Sequence, residues 1–343
     1  MAWRCGSGAQ PATPLTFNSD PAKGANQEGF AVDASLIQAD ANKQRSLAGS
    51  DWTALDHPQD APRAVREYLA TLDEAAWGAA TDVEPKFVSP SDPAAQWTGA
   101  LRGPAFFAYA DNYLIDLKAA VIVDVEASRA VRQAEVGAAR TMLERTAERF
   151  GLKPERLAAD SAYSSAEMLH WLVDVQKIEP HVPVIDKSER QDGTFSRSDF
   201  SYDPEADTYI CPEGKTLTTS GRIVNEGTNR LYLGSTFDCG PCHLKERCCP
   251  NTPARRIPRS IYEHTREVAR SLAGTPAYER SRQGRKRIEM LFAHLKRILK
   301  MGRLRLRGPC GAQDEFLLAA TAQNLRKLAK LVHSSGSHMT QGA

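Results

Sequence analysis

Three carboxylates and two cations in this 343-residue sequence stand where they could handle phosphate chemistry. Asp33 lies inside the apolar stretch Phe30 to Ile37. Asp160 ends the run Leu157-Ala158-Ala159-Asp160. Glu289 is the single acid among eleven Lys/Arg between positions 280 and 307. Phosphoryl transfer on a nucleic acid needs little covalent help from protein. Two divalent ions about 4 Å apart clamp the attacking and leaving oxygens, and carboxylates hold the ions. At about 100° per residue, Arg285, Glu289 and Lys296 fall within roughly a 40° arc of one helix, where a phosphate approaching bound metal meets both cations. Each acid also has an ordinary reading: Asp33 as a turn residue, Asp160 as a helix-start residue, Glu289 as an ion-pair partner. The metal reading requires the three to converge on one side of a sheet.

Cysteines supply a second candidate. Cys211, Cys239, Cys242 and Cys248 are spaced Cys-x27-Cys-x2-Cys-x5-Cys. Tetrahedral zinc takes four thiolates, often from short turns, and Cys239-Gly240-Pro241-Cys242 is such a turn. Cys211-Pro212-Glu213-Gly214 is half of another. Cys249 could replace Cys248, and His243 could enter as a ligand. The alternative is a set of merely buried cysteines. A thioredoxin-like pair lacks the βαβ context it needs.

The elements that must position these groups are legible as periodicities. Residues 1–28 are rich in Gly, Pro, Ala, Asn and Ser and read as a loose leader. A strand is expected from Gly29, a helix between Ala61 and Gly78, two strands joined by a turn over 106–125, and a helix from about Ser128 to Phe150. A short strand precedes Asp160, and Ser164 or Ser165 caps an amphipathic helix. His181 to Asp186 reads as a buried strand, and Lys187 to about Arg259 as turn-rich sequence. Two helices close the chain, about Pro276–Leu299 and Gln313–His333. On the first, Ile288, Leu291, Phe292, Leu295 and Leu299 form the apolar stripe. The order predicts an α/β, RNase H-like mixed sheet flanked by helices, with a cysteine-bearing insertion between the last core strand and the Glu289 helix. The expected divisions are a leader at 1–28, core at 29–187, insertion at 188–259, closing helices at 260–333 and a tail at 334–343.

Composition narrows the class. The chain is 41% hydrophobic and 25% charged, ordinary for a soluble globular protein. No run of eighteen apolar residues exists, which excludes a helical membrane span. Seven cysteines, with Cys5 and Cys310 far from the rest, argue for a reducing, cytoplasmic setting. A net charge of +2 conceals polarity: positions 1–100 hold 13 acids against 7 Lys/Arg, whereas 280–307 is strongly basic. Such a field suits a polyanionic partner, and also a solvated helix face.

Arg285-x3-Glu289-x6-Lys296 resembles the Arg-Glu-Lys signature of bacterial insertion-sequence DDE transposases. Asp160-Ser-Ala-Tyr-Ser-Ser is similar to that family's second-aspartate motif, Asp-x-Gly-Tyr-Ser, and Asp33-Ala-Ser to its first, Asp-Gly-Thr. Arg307-Gly308, Ala320 and Asn324-Leu325-Arg326 resemble its last helix. The likeness covers about 29–333 and is nearest the branch with a cysteine-containing insertion. It implies DNA cleavage and strand transfer, with Asp33, Asp160 and Glu289 holding two Mg2+ ions (Mn2+ substituting) and Arg285, Lys296 and Arg282 on phosphate. A structural Zn2+ in the insertion is compatible with it. Element ends and target DNA are the implied partners, without a membrane, in a homodimeric complex at the nucleoid. The chain departs from the pattern at Ala34 and Ala162, where the family has Gly, and at Arg282, where it has Tyr. Family members usually begin with a helical end-recognition domain, so a truncated copy is expected, binding DNA phosphates without reading a particular end. The competing readings are a non-catalytic DNA-binding remnant or domesticated protein, and a nonspecific nuclease of the same fold.

Overall fold

A computed structural model describes residues 29–52, 60–70, 85–99, 103–185, 189–225 and 227–336. The expected leader and the second half of the helix expected at 61–78 lie outside them. In chain order the elements are β1 (Gly29–Gln38), α1 (Arg63–Ala70), β2 (Gln96–Thr98), β3 (Phe106–Asp116), β4 (Ile122–Arg129), α2 (Arg132–Phe150), β5 (Arg156–Ala158), α3 (Ala166–His170), β6 (Glu179–His181), β7 (Ser201–Asp203), β8 (Thr208–Ile210), β9 (Thr216–Val224), β10 (Asn229–Leu233), α4 (Thr236–Cys239), α5 (Lys245–Cys248), β11 (Arg256–Ser260), α6 (Glu263–Leu272), α7 (Pro276–Arg297) and α8 (Gly308–Gly336). They form a mixed α/β protein with two compact units, one of 1–162 with 274–343 and one of Tyr163–Ala273.

The first unit is built on β1, β3 and β4, an antiparallel set in which Asp33 lies opposite Tyr113. The β3–β4 turn forms because the Asp116 carboxylate accepts the amides of Lys118 and Ala119 at 2.9 and 3.0 Å. β5 runs parallel to β1, pairing Ala31 with Ala158. Alternate residues of a strand face opposite sides. Tyr109, Tyr113 and Ile115 of β3 therefore share one face, where they join Ile288, Phe292 and Leu295 of α7 and Phe316 of α8 in one buried cluster. Of the stripe expected on α7, Leu299 falls beyond the helix and is 37% exposed.

α8 also completes the sheet. Gln313 accepts the Ala127 amide at 2.7 Å and donates to the Val125 carbonyl at 3.1 Å. Asn324 accepts from the Ile122 amide at 3.0 Å and donates to its carbonyl at 2.8 Å. The two amides lie about three turns apart on one helix face. They satisfy backbone groups that an edge strand otherwise offers to a foreign strand. Gly308 starts this helix at φ +83°, and a Cβ there would stand 2.9 Å from the Ala64 backbone, so α1 and α8 meet only because it is glycine.

The second unit departs from the sequence reading in two places. The strand expected over His181–Asp186 is β6, ending at His181. Pro183 has no N–H to continue a ladder, and Ile185 is 54% exposed. The stretch read as turn-rich holds a five-stranded antiparallel sheet in the order β11-β10-β9-β8-β7. Its strands are short and mostly polar, and β9 buries one side chain, Leu217. Burial comes instead from tertiary stacking of Phe200, Tyr209, Leu217, Tyr232 and Ile257 with Cys248 and Cys249.

Asp92, fully buried in the first unit, accepts the Tyr109 hydroxyl at 2.6 Å. Burial pushes its carboxyl up from 3.8 to about 6, against the pull of Tyr109 and the Gly308 amide. A folded-state pKa above the unfolded one stabilises fully below the unfolded value and is lost as pH rises through the folded value. Between pH 4 and 6, Asp92 should therefore make stability fall with rising pH by up to about 1.4 kcal/mol per pH unit. Urea titrations across that window should show the slope removed in Asp92→Asn. An unchanged slope would contradict the burial of the acid.

Candidate functional site

Asp33 and Asp160 each stand two residues beyond the Ala31–Ala158 pair, so parallel β1 and β5 bring them to neighbouring positions. Opposite Asp33, Tyr113 stacks on Phe292 of α7 with ring centroids 4.7 Å apart. This contact helps seat α7, whose Arg285 reaches β1. Arg285 donates to Asp33 Oδ2 at 3.0 Å through one nitrogen, and its other lies 3.7 Å from Glu289 Oε1. Asp33 Oδ1 accepts the Ala34 amide at 2.9 Å, and Asp160 Oδ1 accepts the Ala162 amide at 2.7 Å. Both contacts use backbone N–H, so alanine at these two positions preserves them.

Burial raises the Asp33 carboxyl above its usual range. The Ala34 amide and Arg285 oppose the rise, while the charges of Asp160 and Glu289 add to it. A fourth carboxylate, unforeseen from the sequence, belongs to this field. Glu135, in the first turn of α2, is also raised, by burial and then by Asp160 and Asp33. Acids are common in first turns because they complement the helix dipole, and nothing in its position marks Glu135 as different. The structure thus couples Asp160, Glu289 and Glu135 electrostatically to Asp33, while Arg285 touches Asp33 and Glu289. Oxygen-rich, mutually repelling donors of this kind suit Mg2+ or Mn2+.

The other expected phosphate-binding residues are distributed differently. Lys296 neighbours Asp111 of β3, which is wholly buried and whose carboxyl burial drives well upward, with Tyr113 and Lys296 opposing. Desolvation lowers the Lys296 ammonium, and Asp111 counters it. Arg282 pairs with Glu279 at 2.8 Å, one turn back on α7. The basic run is partly structural: Arg287 donates to the Leu117 and Lys118 carbonyls, and Arg303 and Arg307 hold Asp40 at 2.7 and 2.8 Å.

Within the second unit, Cys211, Cys239, Cys242, Cys248 and Cys249 all line one cavity of about 30 Å3 as free thiols. The Lys215 amide donates to Cys211 Sγ at 3.3 Å, and the Lys245 ammonium lies 3.8 Å from Cys249 Sγ. Burial pushes the Cys248 thiol up to about 11 and raises Cys239. The sulfurs surround the cavity rather than meet at one point. His243 pairs with Glu213 at 3.4 Å.

Arg285→Gln removes the charge that holds the Asp33 carboxyl down, so the midpoint of its 13Cγ titration should move to higher pH. An unmoved midpoint would mean that the ion pair does not form in solution.

No helix among the described residues is long and apolar enough to cross a membrane. No curated protein and no solved structure matches this chain. Residues 210–329, which carry the five central cysteines, Arg285, Glu289 and Lys296, match the family model described as Transposase DDE domain. That match supports a DDE transposase family and a transposase-related function for the chain.

Proposed function

We propose that this chain is a DDE transposase catalytic domain that cleaves a phosphodiester at an element's end and joins the freed 3′-hydroxyl to target DNA. The observation carrying the proposal is the Arg285 bridge between Asp33 on β1 and Glu289 on α7, inside a field of further carboxylates. The strand arrangement of the first unit, antiparallel β4-β3-β1 with β5 parallel to β1 on its other side, favours the RNase H-like reading. In the proposed division, 188–259 is an insertion in that core.

Asp33, Asp160 and Glu289 are the proposed holders of two Mg2+ ions. When bound, the ions would supply Lewis-acid stabilisation of the attacking and leaving oxygens. Arg285 touches two of these carboxylates, so it can relax toward phosphate once their charge is met elsewhere. Lys296, kept near the sheet by Asp111, offers a second cation further along α7. Glu135 adds negative charge beside Asp160 and sharpens the demand for a divalent cation. Divalent-dependent nicking of duplex DNA should fall by more than about 100-fold in Glu289→Ala and Asp33→Asn, a loss larger than outer-shell changes cause. Wild-type protein that binds DNA but never nicks it would favour the non-catalytic remnant.

A structural Zn2+ held by Cys211, Cys239, Cys242 and Cys248, with Cys249 adjacent, is proposed for the second unit. The shared cavity and the amide donated to Cys211 support it. Zinc binding displaces thiol protons, so raised thiols make affinity climb with pH. Purified protein should contain about one zinc per chain, and Cys239→Ser should lose it and be less stable. Zinc-free protein with an unchanged melting temperature would refute the site.

A further inference from the structure

Away from the carboxylate and cysteine clusters, His170, Asp174 and His264 bring one ligand atom each to within 4.8 Å of one another, the one set that tight among the described residues. His170 Nδ1 lies 2.6 Å and His264 Nε2 2.8 Å from the same oxygen, Asp174 Oδ2. We propose that these three side chains form a binding site for a divalent transition-metal ion of the Zn2+ or Ni2+ class, distinct from the cysteine cluster.

The chemistry of the set argues for this class. Two imidazoles and one carboxylate suit Zn2+, Ni2+ and Cu2+, whereas Mg2+ prefers oxygen alone. Liganding distances of about 2.0–2.2 Å place neighbouring donors roughly 3 Å apart, which these atoms reach with small rotations. The two histidines crowd one carboxylate oxygen, and an ion inserted among them would take the place of the bridging protons. The scaffold is local and defined. His170 ends α3, Asp174 lies in the π-helical turn Trp171–Val175, and His264 is in the first turn of α6. Isolated π-turns recur at functional sites because they re-aim side chains. The His170 ring stacks on Tyr262 at 4.2 Å, which holds its plane.

Neighbouring charges do not compete. Glu263, beside His264, is buried and already held by Arg197 at 2.9 Å and Arg270 at 3.0 Å, with Arg266 at 3.6 Å. His264 is 53% exposed, which leaves room for water to complete the coordination. Asp174 and His264 are 90 positions apart, so the ion would close a long loop and tie the start of the second unit to its end.

The test is calorimetric titration of the full chain, purified without a histidine tag and dialysed free of loosely held metal, using Ni2+ as probe. Wild-type protein should bind one Ni2+ per chain more than His264→Ala, and its melting temperature should rise by several degrees with Ni2+ while that of His264→Ala does not. Asp174→Asn, which retains an acceptor oxygen, should weaken binding by more than tenfold. Cys239→Ser should keep the extra Ni2+, which separates this site from the cysteine cluster. Equal stoichiometry in wild type and His264→Ala, or no Ni2+ bound by wild type, would overturn the proposal and leave a hydrogen-bonded clamp.

Discussion

Like charges held close in a half-buried place are the constraint on which the first unit turns. Asp33 sits on the second strand in from the edge closed by α8, 19% exposed, with Asp160 and Glu289 acting on it and Glu135 nearby. Left alone, such a group would protonate, because neither solvent nor a partner compensates its charge. Arg285 is the internal answer, and α7 must dock in one register to deliver it. The Tyr113–Phe292 stack and the burial of Ile288 and Leu295 set that register. Electrostatics and packing therefore make the same demand on one helix. Agreement between levels of this kind defines a single native arrangement.

The rest of the unit holds the sheet still. The side-chain amides of Gln313 and Asn324 act as a partial strand for β4, and Gly308 lets their helix approach α1. Deep in the same core, Asp92 and Asp111 are carboxyls whose environment favours the neutral form. Buried acids cost folding energy unless paired. Tyr109 partners the first, and Lys296 opposes the protonation of the second. A cation expected on phosphate thus also acts on a buried acid.

The second unit is held together by different means. Its sheet has few aliphatic contacts, and Arg259 lies 3.7 Å over the Tyr202 ring while Asp207 collects Tyr202, Tyr232 and Arg230. Aromatic stacking, a buried ion network around Glu263 and a ring of thiols do the work that an aliphatic core does elsewhere. Small sheets of this composition are where metal staples contribute most.

Sequence by itself determined the elements whose periodicity is strong. β1, the β3–β4 hairpin, α2, α7 and α8 were legible because apolar residues recur at 2.0 or 3.6 positions. The cap of α3 was legible only as Ser164 or Ser165, and the structure chose Ser165, whose hydroxyl accepts the Met168 amide at 3.2 Å. The arc of Arg285 and Glu289 was legible for the same reason, being a property of one helix. Tertiary structure alone decided what depends on residues far apart in sequence. Glu135 and Asp111 join the charged field through sheet register and helix docking, and Lys296 turns toward Asp111 rather than Glu289. The five-stranded sheet of the second unit was hidden because its faces are polar and its burial comes from stacked tyrosines. His170 and His264 leave no local pattern, since a cluster assembled across 94 positions, from 170 to 264, exists only once α3 and α6 pack together.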